Sequence, residues 1–359
     1  MNPIYNFNPG PSVLPQSVLK KVQAELVNYP GLGYSILEDS HRSKTFLKIL
    51  ADTKDKLKSL LGLGDKYEVL FMQGGASTQF FQIPMNFLQG KKADYIDTGS
   101  WVSKAVKEAK LYGEPRVIAS SKDRNYNYIP KNKDLKFNED SAYIYLCSNN
   151  TIEGTQWKSF PSHPFIPLVG DFSSDILSRR VDISPFALVY AGAQKNLGPA
   201  GVTIVIVRKD FLPLAAEKIP TMCSYKVMVE NDSLYNTPPV FPIYLTNYVL
   251  DWIIEQGGVD AVEKVNNQKA GAIYSAVDAS NGFYTCPVSK EDRSFMNIVY
   301  TLPSEEKTEK FLAEAKALGF LNLKGHRSVG GIRASVYNAF PLEGAQKLGA
   351  FMTAFARKS

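Results

Sequence analysis

The sequence predicts an α/β protein. A large domain is built on a mostly parallel, helix-covered seven-stranded sheet, and a smaller α/β domain follows at the C-terminal end. Two observations carry this. Seven short apolar runs, at 67–72, 93–97, 116–119, 142–147, 166–170, 187–191 and 202–207, are interleaved with helix-like patterns, and that alternation marks strands joined by crossovers. From residue 243 it gives way to two long helical patterns and then a mixed group of strands and helices, as a second unit would. At 359 residues and 44% hydrophobic, the chain is long and apolar enough to bury a core in each unit.

The elements follow in order. A helical pattern at 45–61 precedes the first strand, 67–72. Gln73-Gly74-Gly75-Ala76-Ser77-Thr78 then turns into an amphipathic helix at 77–88, with Pro84 inside it. Strand 93–97 ends in the Thr98-Gly99-Ser100 turn and Trp101, and a helix is predicted at 103–112. After strand 116–119, the Lys/Asp/Asn-rich stretch 120–140 reads as a solvated connection. Strands 142–147, 166–170, 187–191 and 202–207 complete the sheet. Helices at 243–256 and 259–279 flank Gly257-Gly258, where the domain boundary is set. The large domain is thus 16–257 and the small one 258–359, with residues 1–15 expected to pack with the small domain. The small domain is predicted to hold strands near Phe283 and at 295–302, a helix at 305–318, a strand at 332–336 and a closing helix at 342–357.

Composition narrows the function. Forty-one basic residues against 35 acidic ones give a net charge of +6, with no dense Lys/Arg run interleaved with aromatics. No nucleic-acid partner is expected, while the mild positive field suits small anionic substrates. Cys147, Cys223 and Cys286 are odd in number, widely spaced and free of any C-x-x-C pair. That is the usage of a reduced, cytoplasmic protein without a structural metal. No apolar run is long enough to cross a bilayer, and residues 1–7 lack the basic and apolar regions of a signal peptide. Neither a membrane partner nor export is expected.

The chemistry concentrates where two strands end. The run 166–170 delivers Asp171 in Gly170-Asp171-Phe172-Ser173-Ser174-Asp175, and 187–191 leads to Lys195 in Ala193-Gln194-Lys195-Asn196-Leu197-Gly198. A lysine alone is usually a solvated surface group, and an aspartate after a strand often only caps a turn. Open α/β sheets, however, gather ligands at the carboxyl ends of their strands. An acid and a desolvated amine in one crevice are what pyridoxal phosphate needs, the amine for its aldehyde and the acid for its pyridinium nitrogen. The Gly74-Gly75 turn opens a helix whose free N–H groups suit an anion, although an ordinary turn capped by Ser77 or Thr78 explains the same residues. It is neither a P-loop nor a dinucleotide fingerprint. Trp101 stands where a ring could stack on a flat cofactor, although most tryptophans are core or interface residues. Two of the three histidines precede arginines, His41-Arg42 and His326-Arg327, and Arg333 follows. Arginine forks bind carboxylate or phosphate bidentately, so these residues form a candidate set for a substrate carrying both groups.

These motifs resemble those of the phosphoserine aminotransferase family, pyridoxal phosphate enzymes of fold type I in the class V aminotransferase group. The resemblance runs from Phe7-Asn8-Pro9-Gly10-Pro11 to Ile332-Arg333-Ala334-Ser335 and is most specific at 74–80, 171–178, 192–201 and 325–333. It implies amino transfer between L-glutamate and 3-phosphohydroxypyruvate, giving O-phospho-L-serine and 2-oxoglutarate in L-serine synthesis, with 4-phosphohydroxy-L-threonine of vitamin B6 synthesis as a further substrate. It also implies roles. Lys195 carries the cofactor and shuttles the proton, Asp171 pairs with the pyridine nitrogen, Trp101 stacks on the ring and Thr151 bonds the phenolate oxygen. Ala76, Ser77 and Gln194 hold the cofactor phosphate, completed by Asn236 and Thr237 from the second subunit of a homodimer with shared sites. His41, Arg42, His326 and Arg327 read the substrate phosphate, the first pair across the dimer, and Arg333 takes the α-carboxylate. Glutamate fits the same pocket with its γ-carboxylate in the phosphate position. Two positions depart from the family pattern: Gly170 stands where alanine is expected, and Ser77 where some relatives carry arginine.

Four other readings are open on the residues alone. The vitamin B6 substrate could be the main one. A cysteine desulfurase would need a mobile, exposed cysteine, which none of the three resembles. A nucleotide-dependent oxidoreductase lacks its fingerprint, and a non-catalytic binding protein would have no use for the lysine, aspartate, tryptophan and arginines together.

Overall fold

The computed structural model describes residues 3–358; Met1, Asn2 and Ser359, at the outer ends of the expected N-terminal segment and small domain, lie outside the described residues. In chain order the elements begin β1 (Tyr5–Asn6), α1 (Gln16–Glu25), α2 (Lys44–Leu61), β2 (Tyr67–Met72), α3 (Ala76–Phe87), β3 (Lys92–Asp97), α4 (Ser100–Ala109) and β4 (Glu114–Ser120). They continue with β5 (Ser141–Cys147), β6 (Leu168–Asp171), β7 (Phe186–Gly192), β8 (Thr203–Arg208), α5 (Tyr225–Glu230) and α6 (Val240–Glu255). Last come α7 (Gly258–Asp278), β9 (Asn297–Tyr300), α8 (Glu305–Ala317), β10 (Phe320–Leu321), β11 (Ile332–Ser335) and α9 (Leu342–Lys358).

The seven predicted runs form one sheet in the order β2-β8-β7-β6-β5-β3-β4. Every pair is parallel except those of β8, which runs antiparallel to both β2 and β7. Strands β6 and β7 are buried along their whole length, which explains why they read as continuous apolar runs and not as alternation. Because β8 is reversed, it follows β7 through a short return, and that return carries Lys195.

Helix α2 illustrates how the covering layer forms. Phe46, Ile49, Leu50, Thr53 and Leu57 recur at helical spacing and are buried. The Ser43 hydroxyl accepts from the Phe46 N–H at 3.0 Å, and Gly62 (φ 64°) ends the helix in a left-handed cap. Burying each of the four apolar side chains contributes about 1.5–3 kcal/mol. In α3, Pro84 removes one helical hydrogen bond, yet the helix continues and the Pro84 carbonyl accepts from the Leu88 N–H at 2.9 Å.

A separate core brings together β9, β11, α7, α8 and α9, including Ile298, Tyr300, Phe311, Ile332 and Leu348. Tyr5 and Phe7 join it, and β1 pairs in parallel with β10 through Tyr5↔Phe320. Helix α7 crosses the junction: Val259 and Val262 pack in the core under the sheet, and Ala270 and Ile273 in the second core.

Two expectations are corrected, and one helix is added. No strand forms near Phe283, because Asn281 (φ 50°) and Gly282 (φ 86°) turn the backbone there; only Thr285 bridges to Thr301. The stretch 120–140 is not simply solvated, since Ser121, Ile129 and Leu135 are buried and two 3₁₀ turns, Lys122–Arg124 and Asn132–Asp134, shape it. Helix α1 was not anticipated, and it buries only Val18 and Val22 of its ten residues, too thin an apolar stripe to stand out.

Candidate active site

The carboxyl ends of β5, β6 and β7 and the first turns of α3 and α4 enclose a cavity of about 320 Å³. Nine of the predicted residues line it: Ala76, Ser77, Trp101, Thr151, Asp171, Gln194, Lys195, His326 and Arg333. His41, Arg42, Asn236, Thr237 and Arg327 do not.

Asp171 is the last residue of β6 and lies between Cys147 of β5 and Tyr190 of β7 in register. Its Oδ1 accepts the Ser173 N–H at 2.9 Å. Burial pushes the carboxyl up, and the Ser173 hydrogen bonds and the positive Lys195 oppose that. Gly170 in front of it is required by packing: a Cβ there would fall 2.6 Å from Phe172 Cε2 and 2.8 Å from Phe186 Cε1, so the alanine expected from the family does not fit these two rings.

Lys195 Nζ donates to Thr151 Oγ1 at 2.7 Å. Burial pulls the amine down, opposed chiefly by Asp171. The side chain keeps partial exposure through the cavity, while protein surrounds it elsewhere. Its backbone is held by the N-terminal segment: the Ser12 hydroxyl donates to the Lys195 carbonyl at 2.5 Å, and the Ser12 N–H to the Gln194 carbonyl at 2.9 Å. Pro9 and Gly10 of that segment also line the cavity. Nothing local in residues 9–12 foretells this, because the contact spans more than 180 residues of chain.

At one end of the cavity, Gly74 (φ 90°) and Gly75 (φ 74°) turn into α3, which starts with no side-chain cap, so its first N–H groups are directed at the space beside Ala76 and Ser77. Trp101, in the first turn of α4, has its ring centroid 5.9 Å from Lys195 Nζ, and its buried Nε1 has no hydrogen-bond partner among the described residues. Helix α4 is seated by Glu153, whose Oε1 accepts the Ser100 N–H at 2.8 Å and the Ser100 hydroxyl at 2.6 Å.

Arg333, on β11, enters from the second core. It is 7% exposed, its Nη1 lies 3.4 Å from the Thr151 carbonyl oxygen, and its buried Nε has no partner. His326 reaches the cavity with its Nδ1 2.7 Å from Ser328 Oγ, while Arg327 is exposed beside it. His41 and Arg42 touch each other, Arg42 Nε to His41 Nε2 at 3.3 Å, on the surface before α2. The Thr237 carbonyl accepts from Gln73 Nε2 at 2.8 Å, which anchors the 235–239 turn near the Gly74-Gly75 loop of the same chain without entering the cavity.

The residues not anticipated are a polar layer under the site. Asn149 Nδ2 donates to Ser174 Oγ at 2.7 Å and to Asn297 Oδ1 at 2.8 Å, and the Gly192 N–H donates to Ser173 Oγ at 3.1 Å. Their signal was present, since polar residues directly after an apolar strand, as in Cys147-Ser148-Asn149-Asn150-Thr151, sit where an α/β sheet binds its ligands.

This donor set fits pyridoxal phosphate. An uncapped helix start suits its phosphate, a buried carboxylate its pyridinium, an amine its aldehyde and an aromatic face its ring. Comparison with known proteins decides the family. The model of the "Aminotransferase class-V" family matches residues 4–348. A curated phosphoserine aminotransferase of Geobacillus kaustophilus is 53% identical over 100% of this chain and 99% of its own length. The chain belongs to the class-V aminotransferases. Among solved structures, a phosphoserine aminotransferase from Bacillus circulans subsp. alkalophilus superposes with a TM-score of 0.97 at 52% identity, covering 99% of each chain. A pyridoxal phosphate-bound phosphoserine aminotransferase from Trichomonas vaginalis matches with a TM-score of 0.92 at 37% identity, over 98% of this chain and 99% of that one. The chain is accordingly a pyridoxal phosphate-dependent aminotransferase of fold type I. Among the described residues no helix is long and apolar enough to cross a membrane.

Proposed function

We propose that this aminotransferase exchanges the amino group between L-glutamate and 3-phosphohydroxypyruvate, producing O-phospho-L-serine and 2-oxoglutarate as a step of L-serine synthesis. The observation that carries the reading is a pair of anion-recognising points flanking one amine. Arg333 is buried with an unpartnered Nε, and His326 lines the same cavity beside the exposed Arg327, with Lys195 in the wall they share. A substrate with an α-carboxylate and a distal phosphate spans such a pair, and glutamate does so with its second carboxylate.

Bound pyridoxal phosphate supplies an electron sink conjugated to the nitrogen being transferred. The chain supplies the rest. Asp171 holds the pyridinium proton. Lys195, whose amine burial pulls down, takes the proton at Nζ from the substrate α-carbon and would pass it to the cofactor C4′. Thr151 orients the amine through its hydroxyl and would bond the phenolate oxygen, Trp101 would cover the ring, and Ala76, Ser77 and Gln194 would hold the phosphate. Arg333 fixes the α-carboxylate, which aligns the α-hydrogen with Lys195.

The working form is a homodimer with shared sites. His41, Arg42, Asn236 and Thr237 lie outside the cavity of their own chain, and Tyr34, Leu37 and Tyr235 near them are exposed apolar side chains. A second copy would bring the four to a neighbouring cavity and cover those side chains. We take the large domain as 16–257 and the small one as 258–359 with the N-terminal segment; the second apolar core, which gathers Tyr5, Phe7 and residues from Ala270 onward, supports the division, while the first turns of α7 pack under the sheet. We assign the protein to the cytoplasm on its three free cysteines.

The test is a single-turnover titration of the cofactor-loaded protein with O-phospho-L-serine, followed by absorbance. Conversion of the cofactor to its amino form, with little response to serine or cysteine, is the expected result. No response to phosphoserine would overturn the substrate, and 4-phosphohydroxy-L-threonine would be added next.

A further inference from the structure

We infer that Lys104, one turn beyond Trp101 on α4, is a further cation of the distal-anion site, beside Arg327, and sets its preference for a doubly charged group. The inference rests on the proposed function and deepens it by naming what distinguishes phosphate from carboxylate.

Three observations converge. Lys104 Nζ lies 4.3 Å from the Trp101 ring centroid, so a side chain that is otherwise solvent-exposed has its ammonium held over a ring that lines the cavity. Among the described residues Lys104, Arg327 and Arg333 form no ion pair, although thirteen ion pairs occur there at other positions. Cations that form no ion pair beside a cavity favour an anion there. His326 registers them together. Its imidazole is held below the ordinary histidine range by burial first, then by Arg333 from β11, by Arg327 beside it and by Lys104 from α4; Ser328 meets its Nδ1 twice, through Oγ at 2.7 Å and through its N–H, which donates at 3.3 Å.

The consequence is selective. In the free enzyme burial and, behind it, the three cations disfavour the charged form of His326. A phosphate dianion opposes their field and so favours the protonated, donating form of His326. A γ-carboxylate carries half that charge and recruits it less. Lys104 therefore contributes more to phosphorylated substrates than to glutamate, directly and through His326.

Lys104→Gln tests this in the holoenzyme, and exposure of the side chain leaves the fold intact. Loss of one charge-assisted contact lowers kcat/KM for the O-phospho-L-serine half-reaction about tenfold. With half the charge at the distal group the Coulomb energy halves, so the glutamate half-reaction falls only about threefold. Lys104→Arg restores both to near wild type. NMR gives a readout independent of turnover. With three histidines in the chain, the His326 ring is assigned by its absence in His326→Gln, and its titration in Lys104→Gln shifts to higher pH than in wild type. Inorganic phosphate also perturbs that resonance more weakly in Lys104→Gln. An unmoved His326 titration with unchanged phosphate affinity overturns the role of Lys104, as does an equal loss for both substrates. If the wild-type enzyme ignores phosphoserine while the His326 shift and phosphate effect occur, the substrate reading fails and the anion site stands.

Discussion

Arg333→Lys separates the fork of the guanidinium from its charge. The free enzyme holds Arg333 at 7% exposure with one buried N–H, at Nε, unpaired. A carboxylate that accepts from Nε and a terminal nitrogen gains two directed, charge-assisted bonds, where a lysine at the same depth gives one. Each such bond contributes about 1.5–3 kcal/mol, so losing one lowers kcat/KM by about 10- to 160-fold. The backbone survives the change, because Arg333 pairs with Val299 across β9 and β11 and its N–H donates to the Leu323 carbonyl at 2.8 Å. Single-turnover rates measured against O-phospho-L-serine and against L-glutamate make the assay, with the melting temperature as a control on folding. Both amino acids carry the α-carboxylate, so both lose the same factor. A loss confined to phosphoserine would refute the reasoning, and so would a change below about threefold with both.

Three further outcomes are expected. Lys195→Ala still binds pyridoxal phosphate, but borohydride no longer fixes it to the chain, and turnover falls by more than about a thousandfold; retained turnover would remove Lys195 from the mechanism. Arg327→Ala loses about ten- to a hundredfold in kcat/KM with phosphorylated substrates, and an equal loss with an unphosphorylated analogue would mean it does not read phosphate. Lys269 tests the pH dependence of stability. It is fully buried, its Nζ donates to the Tyr337 carbonyl at 2.6 Å, and burial pulls its amine down to about 7. Unfolded, it stays protonated to about pH 10.4, so between these values unfolding takes up a proton and stability rises with pH by up to about 1.4 kcal/mol per unit. Below about 7 both states carry the proton and the contribution is flat. Denaturant unfolding of Lys269→Met from pH 7.5 to 9.5 is expected to lack that part of the slope, and an unchanged slope would contradict it.

The sheet was legible because its central strands are buried on both faces, and continuous apolar runs such as 186–192 have no other use in a folded chain. The long helices were legible through a wide apolar stripe, as in α2. What escaped had little local signal: α1 with two buried residues, the six-residue α5, and the turn at Asn281-Gly282 that displaced a strand.

For the site, the sequence by itself was enough to place the two groups proposed to react. Asp171 and Lys195 stand at the ends of adjacent strands, and strand direction is enough to bring them to one edge of a parallel sheet. It also determined the Gly74-Gly75 turn, since chain connectivity places a helix start there. Only the tertiary structure decided that Ser12 holds the Lys195 backbone, that Arg333 reaches Thr151 from another core, and that Lys104 on α4 comes within electrostatic reach of His326. The physical reason is the distance along the chain. Strand ends and turns are fixed by neighbours a few residues away, whereas these contacts depend on how separately closed apolar cores dock, and no local pattern of residues encodes that.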